Sequence, residues 1–329
     1  MSRYVSKSLF LLLFTVPILC VLFPAAVWVI GRIVFPFQAN GSLLTGPDGQ
    51  VVGSKLIAQP FTKEEYFQPR PSAASYDASA SASSALAPSN YALRDRVART
   101  LGPIAKYQGG PKAGQLVAPD VEAWFQQDRY QGKPGIVAQW ADLHNSLATA
   151  WVGADHTHGA YVDSWAKAHP AVVADWVKDN PSTPLPKAAD LAVVFFEIFS
   201  KENPGRFPSA VTKAVEPVNA GSDIQSIFFD MWRQDHPDVD LQNVPGDLVT
   251  TSASGLDPDI TLQNAEYQLD RVASKWAADT KSDPAAIRAE IDQILQVNAK
   301  APFGGLAGEK MVNVLEVNLE LRKHYGAPN

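Results

Sequence analysis

One uncharged apolar run near the start of the chain constrains the fold more than any other feature. It occupies residues 8–31, and no charged side chain lies between Lys7 and Arg32. A helix rises about 1.5 Å per residue, so a run of this length can cross a hydrocarbon core of about 30 Å. A cleaved signal peptide would have an apolar core of about 7–15 residues and small residues before its cleavage site. Because this run is longer and ends in bulky residues, we predict an uncleaved membrane anchor, residues 1–35.

The charges that flank the run predict its orientation. Arg3, Lys7 and the terminal amine precede it, whereas Arg32 and the more distant Lys55 follow it. Positive charge concentrates on the cytoplasmic side of a membrane, so the N-terminus is predicted to be cytoplasmic. The bulk of the chain is then extracytoplasmic, beside a cell (inner) membrane.

Composition argues against a nucleic-acid-binding domain and against a domain stabilised by disulfides. The net charge is −6 and the sequence pI is about 5.5, whereas a nucleic-acid-binding domain is usually basic. We therefore expect no nucleic-acid partner. Cys20 is the only cysteine and lies inside the apolar run, so no intrachain disulfide can staple the extramembrane part.

Short elements are predicted between the anchor and residue 101. Residues 50–59, with two pairs of adjacent apolar side chains, indicate a short strand or a hairpin. Residues 62–93 are rich in alanine and serine and poor in large apolar groups, which favours a long surface loop. Ser89 or Asn90 is then positioned to cap a helix that continues to Leu101.

Residues 102–244 differ in character and are predicted to form an inserted, mainly helical region. This stretch holds six of the eight tryptophans and five of the six histidines. Apolar spacing, punctuated by proline and glycine, predicts helices at residues 121–130, 136–151, 161–178, 188–201 and 223–234.

Residues 245–329 return to a mixture of helices and strands. Residues 248–250 and 312–317 are predicted strands, and helices begin after Thr261 and after Asp283, where a proline follows. The predicted fold class is therefore α+β: a single N-terminal transmembrane helix, then a mixed α/β extracytoplasmic domain that carries the inserted helical subdomain.

The residues offer little chemistry of their own. There is no phosphate-binding loop, no dinucleotide fingerprint and no phosphorylatable aspartate motif of a P-type pump. The loop with Ser252, Ser254, Gly255 and Asp257 precedes a helix N-terminus, where a nucleotide phosphate or a partner is one interpretation and a tight turn is the favoured one. A metal at His156 and His158 is the weaker interpretation, because two residues do not make a site, and we expect none.

Six segments carry a resemblance to a known family. In order along the chain they are FPFQANGSL at 35–43, GSKLIAQPF at 53–61, YFQPRPSA at 66–73, SNYAL at 89–93, LVTTSASGLDPDIT at 248–261 and VNVLEVNLEL at 312–321. Together they resemble the C subunit of the Kdp potassium-transporting ATPase, over about residues 1–100 and 240–325. Residues from about 102 to 240 have no counterpart in the usual short subunit of this family, so the resemblance does not inform their role.

This resemblance implies an accessory role without catalysis. The C subunit is a single-pass partner of a potassium-binding channel-like subunit and of a P-type ATPase subunit, within the lipid bilayer. The family is also described as a catalytic chaperone that raises the ATP affinity of the ATPase subunit. ATP and potassium are handled by the complex, so no cofactor is expected on this chain. The domains are then 1–35, 36–101, 102–244 and 245–329, of which the second and fourth resemble the family.

A second function stays open from the sequence. The chain is alternatively a membrane-tethered exported binding protein or hydrolase that works through the insertion at residues 102–244. The first function predicts co-purification with two larger membrane subunits, and the second predicts a stable solitary protein.

Overall fold

A long apolar helix opens the chain in the computed structural model, which describes residues 2–128, 134–211 and 214–328. It consists of α1 (Ser2–Pro17), a π-helical turn (Ile18–Leu22) and α2 (Phe23–Val34). The π turn directly follows Pro17, which can neither donate a backbone hydrogen bond nor fit its ring into a regular turn. The apolar stretch from Tyr4 to Val34 is not buried in the protein, and it is long and apolar enough to span a membrane.

A short helix and a hairpin follow this apolar helix. They are α3 (Pro36–Ala39), β1 (Leu43–Thr45) and β2 (Val51–Ser54), and the two strands pair antiparallel. Arg32 Nη1 donates to Asn40 Oδ1 over 2.8 Å, and Gly41 takes a positive φ of 87° where the chain turns. The predicted strand in residues 50–59 is thus β2. Residues 55–90, all of them described, contain neither helix nor strand, which agrees with the long loop expected there.

The chain divides into two compact units, residues 1–85 with 244–329 and residues 86–243. The predicted insertion boundaries at 102 and 244 stay a prediction. The second unit contains α4 (Tyr91–Leu101), α5 (Ala118–Gln126), α6 (Ile136–Leu143), α7 (Asn145–Ala154), α8 (His156–Ala168), α9 (Pro170–Asp179), α10 (Ala192–Glu202), β3 (Phe207–Val211), β4 (Ala214–Val218) and α11 (Ser222–Asp235).

The helix after the long loop begins as predicted, whereas two longer predicted helices are wrong. Asn90 Oδ1 accepts from Ala92 N and caps α4. The predicted helix 136–151 is broken at His144, and the predicted helix 161–178 is broken before Pro170. A residue that precedes proline is driven out of the helical region, which explains the second break. The predicted helix 121–130 starts earlier, at Ala118; Tyr130, its predicted end, lies outside the described residues.

A β-hairpin in the second unit was not predicted. Its strands β3 and β4 pair antiparallel, with Pro208 opposite Pro217. Proline in an apolar run argues against a strand because it lacks the N–H group that would donate to the neighbouring strand. Because both strands of this hairpin contain a proline, the sequence does not indicate either of them.

Two apolar clusters stabilise the second unit, and α11 contributes to both. Ile224, Ile227 and Phe228 pack in the larger cluster with side chains of α6 and α10. Phe229 and Trp232 pack in the smaller one with side chains of α4 and α5. One helix therefore presents apolar side chains to two sets of neighbours.

The first unit resumes with four helices and two strands, apart from a short 3₁₀ turn at Pro302–Gly305, among the described residues. They are α12 (Gly246–Val249), β5 (Asp259–Thr261), α13 (Leu262–Thr280), α14 (Pro284–Asn298), β6 (Met311–Asn313) and α15 (Val314–Tyr325). Thr261 and Asp283 cap α13 and α14 as predicted, since each side-chain oxygen accepts from a first-turn N–H. Strands β5 and β6 pair antiparallel, and the apolar faces of the three long helices form one core around Leu269, Ile291 and Val317.

Two predicted strands in this half are wrong. The segment at 248–250 is instead the helical turn α12 and the extended Thr250 after it, with Leu248 and Val249 both buried. The predicted strand 312–317 pairs only to Asn313, where the chain enters α15. Asn313 Oδ1 accepts from Glu316 N, and this cap starts a helix in place of a longer strand.

Candidate functional site

The loop singled out for Ser252, Ser254, Gly255 and Asp257 packs against residues 70–84 of the same unit. Ser72 Oγ donates to the Gly255 carbonyl over 2.5 Å, and Ala82 N donates to the Ser254 carbonyl over 3.0 Å. Ser252 is buried, with 3% of its surface exposed. The structure therefore brings together two loops that the whole second unit separates in the sequence.

Three N–H groups of this loop are used within the loop. Gly255 N donates to the Ser252 carbonyl, Leu256 N to Ser254 Oγ and Asp259 N to Asp257 Oδ1, over 3.1–3.3 Å. A phosphate site at such a loop needs N–H groups that point at the ligand. The geometry thus favours a turn, and nucleotide binding at these four residues stays the untested alternative.

Gly255 is needed for this close packing. Its φ is +73°, and a Cβ there would lie 2.9 Å from the Ala82 carbonyl oxygen and 3.0 Å from Ala74 N. Both neighbours are backbone atoms that cannot move aside cheaply. No other residue type fits this position without displacing one of the two loops.

Charged groups join the same loops. Arg70 Nη1 lies 3.3 Å from Asp257 Oδ2, and its Nη2 donates to the Thr251 carbonyl. Burial raises the pKa of the Asp259 carboxyl above its ordinary value, although Asn313 Nδ2 donates to it over 2.9 Å. These carboxylates are occupied by protein partners and would repel a polyphosphate.

Two buried side-chain amides hold the segment before Arg70. Asn318 Oδ1 accepts from Phe67 N and its Nδ2 donates to the Phe67 carbonyl, both over 2.9 Å. Gln268 does the same to Gln68, accepting over 2.8 Å and donating over 3.1 Å. Each amide replaces the partner strand that this extended segment lacks, so buried backbone groups are satisfied without a sheet.

Beside this amide pair lies a small cleft of about 180 Å³, which we call the hairpin cleft. Its walls come from the hairpin, the following loop and α15, and its lining residues include Val52, Phe61, Tyr66, Leu315 and Arg322. The lining is mostly apolar, with one cation at the end of α15. Such a cleft suits a protruding side chain of a protein partner better than a catalytic reaction.

The hairpin is held tightly against this cleft. Gln59 Nε2 donates to the Val52 carbonyl over 2.9 Å and lies where a Gly53 Cβ would be, only 1.8 Å from it. Asn313 Nδ2 donates to the Lys55 carbonyl, and the Lys55 ammonium pairs with Glu316 at the start of α15. On its outer side the hairpin exposes Val51, at 58%.

The histidines considered for a metal have other roles. His158 stacks on Trp151 with ring centroids 4.0 Å apart, and its Nδ1 lies 2.8 Å from the Trp151 carbonyl. The side chain of His156 is 91% exposed. No group of three or more histidine, cysteine, aspartate or glutamate side chains is placed to bind a metal among the described residues.

Two other histidines are expected to have pKa values on opposite sides of the ordinary histidine pKa. The Trp165 carbonyl, followed by Glu202 at 3.0 Å from Nε2, raises the pKa of His169. Burial lowers the pKa of His144. Imidazole signals followed by NMR from pH 5 to pH 9 should therefore place His169 above the ordinary value of about 6.5 and His144 below it.

The raised pKa of His169 sets the sign of its contribution to stability. That contribution is fully present below the unfolded pKa of about 6.5 and is lost as pH rises through the folded pKa. Glu202→Gln should bring the His169 midpoint down, whereas Glu197→Gln on the same helix should leave it in place. Equal midpoints for His169 and His144 would contradict the prediction.

The segments around the hairpin cleft and the packed loops match a known protein family. The family model described as KdpC, K+-transporting ATPase, c chain, matches residues 5–121 and 222–323, well over half of the chain. The chain belongs to the KdpC family. Residues 122–221 separate the two matched stretches, which is consistent with a large insertion in this KdpC chain.

Curated relatives are similar over shorter stretches. A potassium-transporting ATPase KdpC subunit of Pseudomonas putida (strain W619) is 48% identical over 111 residues, 33% of this chain and 59% of that relative. The subunit of the same name in Synechocystis sp. is 55% identical over 83 residues, 23% of this chain and 44% of the relative. The subunit of the same name in Methanosphaerula palustris is 52% identical over 80 residues, which are 24% of this chain and 43% of the relative. The chain thus spans less than two thirds of the length of these relatives.

Sequence reasoning did not find the two amides or the hairpin cleft. A signal for the amides was present in the sequence, because each lies on an otherwise apolar helix face. Asn318 lies among Val317 and Leu321, and Gln268 lies among Leu269 and Val272. A polar amide in an apolar stripe is a candidate for a buried hydrogen-bonding role. The cleft had no comparable signal, since its walls meet only through tertiary packing.

Proposed function

We propose that this chain is a non-catalytic accessory subunit of an ATP-driven, high-affinity potassium uptake complex. It is anchored by residues 1–35 in a cell (inner) membrane, with a cytoplasmic N-terminus and an extracytoplasmic body. Its partners are a potassium-binding channel-like subunit and a P-type ATPase subunit, which is the catalytic chain. The observation that carries this proposal is the KdpC match over the segments that build the apolar helix, the hairpin and the packed loops.

The proposed work of this subunit is to assemble and stabilise the other two. The apolar helix exposes its whole apolar stretch, which supports contacts with lipid and with transmembrane helices of partners. The hairpin cleft and the exposed Val51 on the outer side of the hairpin offer apolar surface outside the membrane. Any rise in the ATP affinity of the ATPase subunit then travels through protein contacts, in keeping with the described catalytic-chaperone role of the family.

An aspartate at Val51 should weaken assembly. Val51→Asp places a charge on the outer side of the hairpin, so burying that surface against a partner would require desolvating an unpaired carboxylate. We expect recovery of the tagged three-subunit complex from membranes to fall several-fold. Val297→Asp is the matched control, because Val297 is 76% exposed on α14, away from the hairpin cleft. Equal recovery of both variants would contradict the role of the hairpin surface.

The purified full chain should neither hydrolyse ATP nor bind it tightly. Three of the loop N–H groups are occupied within the loop, and Asp257 and Asp259 would repel the phosphates unless a cation intervened. Titration calorimetry with ATP and magnesium on the chain in nanodiscs is the measurement. Micromolar binding that disappears in Ser254→Ala would place a nucleotide site on this subunit and overturn the prediction.

A further inference from the structure

A second and larger cleft, of about 420 Å³, lies in the unit formed by residues 86–243. Helices α4 and α11, which lie in the stretches that the family model matches, form two of its walls. Helix α6, which lies in the unmatched stretch, forms a third, and Trp124 of α5 adds an aromatic side chain. Its volume lies within the roughly 300–1,000 Å³ typical of small-molecule sites.

One wall of this cleft is a fixed cluster of polar side chains. Tyr91 stacks on His144 with ring centroids 4.1 Å apart, and the Tyr91 hydroxyl lies 2.9 Å from His144 Nε2. Asp230 Oδ1 accepts from Arg94 Nε over 2.9 Å, and the Arg94 guanidinium lies 6.0 Å from the Tyr91 ring centroid. Each of these groups already has a protein partner, so the wall is preorganised rather than reactive.

The charges of the lining exclude two classes of ligand. Arg94 pairs with Asp230, whereas no cationic side chain among the described residues pairs with Asp235, which accepts from Trp124 Nε1 over 3.1 Å. Anionic ligands are therefore disfavoured. A permanent cation would need several open aromatic faces, but the faces of Tyr91 are taken up by His144 and Arg94.

The remaining lining favours a ligand with both hydroxyl groups and apolar faces. Within the described residues, the side chains of Gln139 and Gln234 form hydrogen bonds only through their Nε2 atoms. Gln139 Nε2 donates to the Pro134 carbonyl, and Gln234 Nε2 donates to Asp230. Each Oε1 can then accept from a ligand hydroxyl. Ile136 and Met231 add apolar surface between these amides. A purely apolar ligand would leave the polar groups unpaired, which costs affinity.

We propose that this cleft, which is lined by Trp124, the amides of Gln139 and Gln234 and the Asp235 carboxylate, binds a neutral saccharide. Sugar rings carry hydroxyl groups at their edges and apolar C–H faces that can lie on an aromatic ring. The inserted residues then give this chain a ligand site that is independent of its proposed role in potassium uptake.

Ligand-observed NMR tests this proposal directly. The full chain in nanodiscs, free of sugar-headed detergents, is mixed with cellobiose, maltose or N,N′-diacetylchitobiose, and saturation transfer to the sugar is recorded. We expect transfer to at least one disaccharide and none to choline or glucose 6-phosphate. No transfer to any of the three, or stronger transfer to either charged probe, would overturn the proposal.

Variants of the exposed amides locate the binding. Gln139→Ala and Gln234→Ala should each weaken binding of the responding disaccharide about tenfold. Gln115→Ala, an exposed glutamine of the same unit outside the cleft lining, should leave binding unchanged. Circular dichroism confirms that each variant folds. Saturation transfer that persists at equal affinity in both cleft variants would place the sugar elsewhere and contradict the proposal.

Discussion

Replacing Asn318 by aspartate is expected to destabilise the first unit by at least about 2 kcal/mol. The substitution keeps the shape of the side chain and the acceptor for Phe67 N. It replaces the donor to the Phe67 carbonyl with a second oxygen, which faces that carbonyl in a site where Asn318 is 1% exposed. The buried carboxylate must either stay charged without a partner or take up a proton.

Thermal and urea unfolding of the full chain in nanodiscs, followed by near-ultraviolet circular dichroism, measures this loss. Asn298→Asp is the matched control, since Asn298 is half-buried at the end of α14 and its side chain, among the described residues, bonds only to the Ile294 carbonyl of its own helix. Its effect should stay under about 1 kcal/mol. If the two variants were equally stable, the amide at position 318 would not hold the Phe67 segment.

Replacing Gly102 by alanine is expected to separate α4 from α11. A Cβ at Gly102 would lie 2.0 Å from the Gln225 carbonyl oxygen and 2.6 Å from its carbonyl carbon. Both are backbone atoms inside a helix, so relief requires moving one helix away from the other. Overpacking of this kind costs about 1–3 kcal/mol and sometimes more.

A second glycine supplies the control for this substitution. Gly153 is exposed in α7, and nothing lies within 4 Å of the Cβ that it would gain. Gly153→Ala should therefore be neutral or stabilise the chain by up to about 1 kcal/mol, because alanine favours a helix. Unfolding midpoints that fall in G102A and do not fall in G153A are the expected result. Equal midpoints would mean that the contact at Gln225 is not tight.

The parts of the fold that could be predicted are those that local sequence determines. Asn90, Thr261 and Asp283 cap helices at the positions predicted, because a cap depends on a side chain and the N–H groups two or three residues ahead of it. The apolar helix follows from composition alone. The strand predicted at 312–317 failed because residues rich in valine also fit a helix once Asn313 caps it.

The candidate site was harder to predict for a physical reason. The loop with Ser252, Ser254, Gly255 and Asp257 could be found as a small-residue turn, but its partner at 70–84 is more than 165 residues away in the chain. No local sequence pattern indicates that these two loops pack against each other. The hairpin cleft and the larger cleft in residues 86–243 form only where elements that are distant in the chain meet, so they become visible only in three dimensions.

The position of α11 between two apolar clusters also limits which substitutions the chain can tolerate during evolution. Phe228 lies 4.6 Å from Phe125, 5.4 Å from Phe207 and 6.1 Å from Trp140, measured between ring centroids, while Trp232 lies in the other cluster. The helix thus carries two independent sets of constraints. In chains that share the insertion, position 228 should covary with the inserted aromatic residues and position 232 with α4 and α5. Loss of the insertion alone would leave one face of a family-matched helix without neighbours, so we expect the inserted residues and α11 to be gained or lost together.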